Sequence, residues 1–262
     1  MLVKAQLESA SDVAAQSLFD AIVDGRIPPG APLRLKELSE QLGMSMMPIR
    51  EAIRRLAALD LVEIEPRKGA RVREMTLEDL QDTYFSRLQL ESIAVWEAAR
   101  HFTADDGDRA ARALADRAEA EAAGDRVAER DAHERFHFAV YEASRRTWIV
   151  RSILPAWRNS ERYRVEALRS HELQHERDNE HVQLLAALQR GDGPDAVRWI
   201  AAHLATSVRL SAESLGVRSS PADSGDPGSA APDVDDIIAR LDANGRAPIG
   251  GYVAGPASAP ES

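Results

Sequence analysis

The sequence predicts a mostly α-helical protein, in which an N-terminal helix–turn–helix ends in a small basic β-hairpin and an antiparallel α-helical bundle follows. Three observations carry this. Ala, Leu, Arg and Glu abound while aromatic residues make up only 5% of the chain, a balance that favours helices over sheets. Apolar residues reach 44%, enough for a real core. The stretch from Leu35 to Arg73 sets two short amphipathic segments around Gly43 and closes with alternating residues around a PRKG turn.

With 262 residues the chain has room for two modest domains and a tail, divided here as 1–75, 76–216 and 217–262. It has no cysteine, which excludes disulfides, thiolate zinc sites and cysteine nucleophiles and makes a cytoplasmic location the default. No apolar run is long enough to span a membrane, so no membrane partner is expected. The N-terminal MLVKAQLESASD lacks the apolar core of a signal peptide.

The elements of the first domain follow in order. Ser11 or Asp12 can cap a helix running to about Asp24, ended by Gly25. The proline-rich IPPGAPL reads as an extended link. A helix of roughly Lys36 to Leu42 stops at Gly43, a residue suited to a left-handed turn. Ser45 caps the next helix, to about Asp60, and Pro48 falls in its first turn, where a missing N–H costs nothing. Ile49, Ile53 and Leu56 recur at i, i+4 and i+7 and bury one face, leaving Arg50 and Arg54 off it. Val62 and Ile64 alternate with Glu63 and Glu65 to open the hairpin.

Charge distribution sharpens this. The whole chain carries −10, from 33 basic against 43 acidic residues, yet residues 26–73 hold ten basic and six acidic groups, a local +4 that includes Arg34, Lys36 and Arg50. A glycine-turned helix pair whose second helix is basic, followed by a basic hairpin, is suited to a DNA major groove and its flanking phosphates.

In the second domain two capping signatures, Thr76-x-x-Asp79 and Thr103-x-x-Asp106, start helices of about Leu77 to His101 and Ala104 to Ala123. Further helices are expected over about Arg126 to Ser144, Thr147 to Leu168 with a bend near Pro155, Glu172 to Gln189, and Asp195 to Leu215. The short connections imply an antiparallel bundle. His133 and His137, four apart, share a helix face and can share an ion, while His181 and His203 lie on two later helices. A single histidine beside apolar residues is more often a satisfied core group.

The tail holds six of the 13 prolines and six of the 15 glycines and reads as flexible, with DVDDIIARLDANG as a short amphipathic segment inside it. His171-Glu-Leu-Gln-His175 matches the H-E-x-x-H pattern of zinc peptidases. Its charged neighbours and its place after a loop argue for exposure, so no enzyme activity is expected. A metal-dependent hydrolase using this motif or the four histidines is the alternative reading.

The segments DGRIPPGAPL, LSEQLGMS, PIREAIRRLAALDLV and RKGARV resemble the winged helix-turn-helix of the GntR family of bacterial transcription regulators, and the likeness runs over roughly residues 10–215. The resemblance implies a homodimer, in most members a repressor, that reads double-stranded operator DNA. By matching motif positions, Lys36, Ser45, Met46, Met47 and Arg50 would face the operator, and Arg67, Lys68 and Gly69 would form the wing tip. Where the family typically has Arg then Thr after the cap residue, this chain has Met46 and Met47, so its operator is expected to depart from the usual one.

HERFHFAVYEAS, NEHVQLLAALQRGD and AVRWIAAHL look like the metal-bearing helices of the all-helical effector domain in the FadR-like class. That implies a divalent metal at His133, His137, His181 and His203. His133 stands where the family usually has Asp, so a neutral nitrogen replaces an anionic oxygen, favouring zinc or nickel over manganese. Arg87 matches the family's arginine for a small carboxylate effector, with Arg158 and Arg162 as further candidates.

Overall fold

A computed structural model of the chain describes residues 9–170 and 174–216, and within them the fold is the expected one. The first helix, α1 (Ala10–Val23), starts slightly before the expected cap. Ser9 accepts the N–H of Asp12 while the Asp12 carboxylate accepts the N–H of Ser9, so Asp12 serves as the third residue of a reciprocal capping box rather than as the cap itself.

The link after α1 contains a strand that the sequence did not suggest. β1 (Pro32–Leu33) pairs antiparallel with β3 (Gly69–Val72), which in turn pairs with β2 (Val62–Glu65), giving a sheet in the order β1-β3-β2. Pro32 cannot donate to a ladder, which suits it to the edge that β1 occupies. Between β1 and β2 lie α2 (Leu35–Leu42) and α3 (Met46–Ala58), joined through Gly43 at φ 62°. That left-handed conformation costs glycine little and would strain a residue with a Cβ. The hairpin tip turns through Arg67, at φ 67°, to Gly69. Ile49, Ile53 and Leu56 of α3 pack with Leu18, Phe19, Ile22, Leu38, Val62 and Val72 in one buried cluster.

Six helices follow: α4 (Leu77–His101), α5 (Ala104–Ala123), α6 (Arg126–Glu142), α7 (Thr147–Ser170), α8 (Gln174–Gln189) and α9 (Gly193–Ser214). Thr76 and Thr103 cap α4 and α5 through Asp79 and Asp106, as their spacing predicts. α9 begins two residues earlier than expected because Asp192 caps it and Pro194 sits in the first turn, where no amide donor is needed. α4 packs on α7 and α9, α5 on α6, and α8 on α9. Their shared core includes Leu88, Val95, Phe136, Trp157, Leu184 and Ile200.

The two clusters meet along α6 and α7. Arg130 reaches from α6 to Asp20 (2.5 Å) and Asp24 (3.2 Å). From α7, Val165 packs against the N-terminal core. Tyr163 donates to Asp79 (2.6 Å), and Arg162 donates to the carbonyl of Arg73 (2.7 Å), so α7 holds the linker that follows the hairpin. The amphipathic segment DVDDIIARLDANG and the start of the His171–His175 motif lie outside the described residues.

Candidate functional site

Two surfaces carry the chemistry. The first is the outer face of the N-terminal region. Arg34, Lys36, Ser45, Met46, Met47, Arg50, Arg54, Arg67, Lys68 and Gly69 are all exposed there. Arg34, Arg54 and Lys68 are held by Glu37, Glu51 and Glu65, whereas Lys36, Arg50 and Arg67 make no ion pair among the described residues. Ser45 has the extended backbone of an N-cap, but its hydroxyl makes no capping bond. The start of α3 therefore presents unused amides, a hydroxyl and an unpaired guanidinium, and its first turn contains no carboxylate.

The second is a buried cluster of histidines inside the helical bundle, the histidine chamber. α6 contributes His133 and His137, α8 contributes His181 and α9 contributes His203, all four buried, with one nitrogen of each within 4.8 Å of the others. Around a tetrahedral zinc with bonds of about 2.05 Å, ligand nitrogens stand about 3.3 Å apart. His137 Nε2 and His181 Nε2 are already 3.0 Å apart. Both ring nitrogens of His133 are buried and make no hydrogen bond. An orphaned imidazole in the interior is costly unless something bonds it, and a divalent cation would do so.

Burial, then the cation of Arg164, holds the His133 pKa well below the ordinary histidine value. Burial and the neighbouring His181 and His203 do the same for His137. Neutral imidazoles are the form that binds metal.

The tautomer of His137 follows from its partners. Tyr141 donates to Glu91 (2.5 Å), so its oxygen accepts the Nδ1 proton of His137 (2.9 Å), leaving Nε2 bare and facing the cluster. His203 Nδ1 lies 3.1 Å from Glu180, which also accepts from Thr206 (2.7 Å), so His203 likewise turns Nε2 to the centre. Two carboxylates thus stand behind the histidines. Tyr141, Glu91 and Glu180 were missed from sequence, although Tyr141 lies four residues after His137 and Glu180 directly precedes His181.

Arg87 stacks over Trp157, whose ring also stacks on His133, so it borders the chamber. It is engaged by Glu91 through two bonds (2.6 and 3.3 Å) and donates to Ser160 (2.9 Å). Burial opposes its charge most strongly of any single cause, but Glu91, Tyr84 and Tyr141 together outweigh burial and raise its pKa. The other two effector candidates are placed elsewhere. Arg158 pairs with Glu134 and lies over Phe19 of α1, and Arg162 holds the linker carbonyl.

A helix–turn–helix with a hairpin wing, joined to a helical bundle with four histidines gathered in its interior, is the architecture of a DNA-binding transcription regulator. Comparison with known proteins agrees: residues 10–72 match the family described as bacterial regulatory proteins, gntR family, and residues 82–206 match the FCD domain. The chain belongs to the GntR family. It is 34% identical, over 74% of its length and 85% of the relative's, to a protein of Paenarthrobacter nicotinovorans named "Probable D-xylose utilization operon transcriptional repressor". It is 32% identical to the regulator McbR of Escherichia coli, over 64% of this chain and 77% of that one.

Among solved structures, E. coli McbR/YncC shares the fold with a TM-score of 0.71 at 24% identity, covering 80% of this chain and all of the other. A GntR regulator from Rhodococcus sp. RHA1 gives 0.64 at 26% identity, over 79% of this chain and 98% of the other. These are transcription regulators rather than enzymes, which removes the hydrolase reading. No helix among the described residues is long and apolar enough to cross a membrane.

Proposed function

We propose that the protein is a metal-containing repressor that binds operator DNA as a homodimer in the cytoplasm and responds to a small carboxylate. Residues 1–75 form its DNA-binding domain and 76–216 its effector domain, while 217–262 lie outside the described residues. In this reading Lys36, Ser45, Met46, Met47 and Arg50 face the bases and phosphates, with Arg34 and Arg54 beside them and Arg67, Lys68 and Gly69 on the adjacent groove.

The observation that carries the reading is the convergence of His133, His137, His181 and His203 from three helices, with His133 left without a bond. Four neutral nitrogens, with Glu180 behind His203 and Glu91 behind His137 through Tyr141, suit zinc or nickel better than manganese. A bound metal would supply a positive centre for an acidic ligand. Arg87, on the same side of the chamber as Trp157, would hold that ligand's carboxylate in place of Glu91. Arg158 and Arg162 serve the domain junction rather than the ligand.

Thermal melting of the metal-stripped protein tests this, with zinc, nickel or manganese added and then with a panel of small organic acids. Zinc or nickel is expected to raise the melting temperature, and an acid that raises it further is expected to change operator affinity. No shift with any metal would remove the metal from the account.

A further inference from the structure

α3 buries every apolar side chain that its helical period turns inward: Ile49, Ala52, Ile53 and Leu56 are all nearly inaccessible. Its first two residues break that pattern. Met46 is 53% exposed and Met47 72% exposed. They project from the tip of a helix with Ser45 before them, the unpaired Arg50 one turn on and Lys36 on the preceding helix, while the exposed carboxylates of Glu37 and Glu51 are taken up by Arg34 and by Arg54 and Arg55. Solvent gains nothing from two thioether chains held there, and an apolar protein partner would have to bury the unpaired Arg50 one turn along the same helix. Arg50 and Lys36 match a polyanion instead.

The residues at the start of the second helix of such a pair are the ones that reach base edges. On the major-groove edge the one apolar group is the C5 methyl of thymine. Unbranched and adaptable, a methionine side chain fits against it.

We infer that Met46 and Met47 are specificity-determining residues that read thymine methyl groups, so each half-site carries thymine where they touch. The inference rests on the DNA-binding reading and deepens it. Lys36, Arg50 and the wing then supply affinity through phosphates, while the methionine pair supplies sequence preference with no charge of its own.

Selection of duplexes from a randomised pool by the full-length protein provides the probe, after which each enriched dT is replaced by dU, removing only the methyl. Wild-type protein is expected to lose about fourfold in affinity per methyl removed at the contacted positions. M46A/M47A is expected to bind dT and dU duplexes equally, with the salt dependence of binding unchanged. Enriched sites without thymine, or dU duplexes bound as well as dT by the wild type, would overturn the inference while leaving DNA binding intact. Failure to select any duplex would overturn the DNA-binding reading and this inference with it.

Discussion

Arg130 and His133 stand three residues apart on α6, so the helix that lines the histidine chamber also grips the DNA-binding region. Arg130 bonds Asp20 and Asp24 at the end of α1, and His133 faces the three other histidines. A rotation or shift of α6 that tightens the chamber must therefore pull on α1, which packs directly on α3. A ligand changes DNA affinity only if it favours one of these geometries.

Arg130→Ala should cut this link. Metal uptake is expected to stay near the wild-type level, while the ratio of operator affinities with and without metal, in the range of about 5–150-fold for typical coupled sites, collapses toward one. Both aspartates keep partial exposure, so the stability loss should be modest, about 1–2 kcal/mol. Paired operator titrations measure the ratio, and a variant that keeps the wild-type value would show that coupling runs elsewhere.

Glu180 orients His203 and lends negative charge to a cluster of histidines that has none. In Glu180→Gln an acceptor remains for the Nδ1 proton but the charge is gone. Metal affinity is expected to fall about 10–100-fold, measured by competition with a chelator. Equal affinity in variant and wild type would mean that Glu180 has no part in the site.

Acid stability should depend on Glu129. It is buried between Arg117 (3.0 Å) and Arg164 (3.4 Å), linking α5, α6 and α7. Burial raises its pKa, but the two guanidiniums outweigh burial and leave it below the usual value of 4.5. A carboxylate depressed on folding stabilises the protein above its unfolded pKa, and that stability is lost as pH falls through the folded value. Wild type should therefore melt above Glu129→Gln at neutral pH, with the gap narrowing below about pH 4.5. A gap that is constant with pH would assign the effect to packing.

Arg50→Ala should weaken operator binding and make its salt dependence shallower by about one in slope, as expected for one lost phosphate contact. Arg50 is exposed and makes no ion pair among the described residues, so the melting temperature should not move. Unchanged DNA binding would contradict the placing of α3 in the groove.

Much of this was legible in the sequence because it rests on local rules. The caps at Thr76 and Thr103, the turn at Gly43 and the buried period of Ile49, Ile53 and Leu56 each depend on residues within a few positions. Strand β1 was not legible, since Pro32 and Leu33 become a strand only through pairing with Arg71 and Ala70 far along the chain. The four histidines could be named but not brought together by helical spacing alone, which joins only His133 and His137.

The partners of the arginines were likewise invisible. Arg87 looks available in sequence, yet it meets Glu91 one turn away and Ser160 from α7. Arg158 and Arg162 turn to the domain junction because α7 runs from the chamber to the linker, a path set by tertiary packing.

The central claim is that the chamber holds a metal, and the metal content of protein purified without added metal or chelator tests it most directly. The expected result is about one zinc or nickel per chain, lost in a variant carrying H137A and H203A that still melts cooperatively. Wild-type protein free of metal, and taking up none from an equimolar zinc solution, would contradict it.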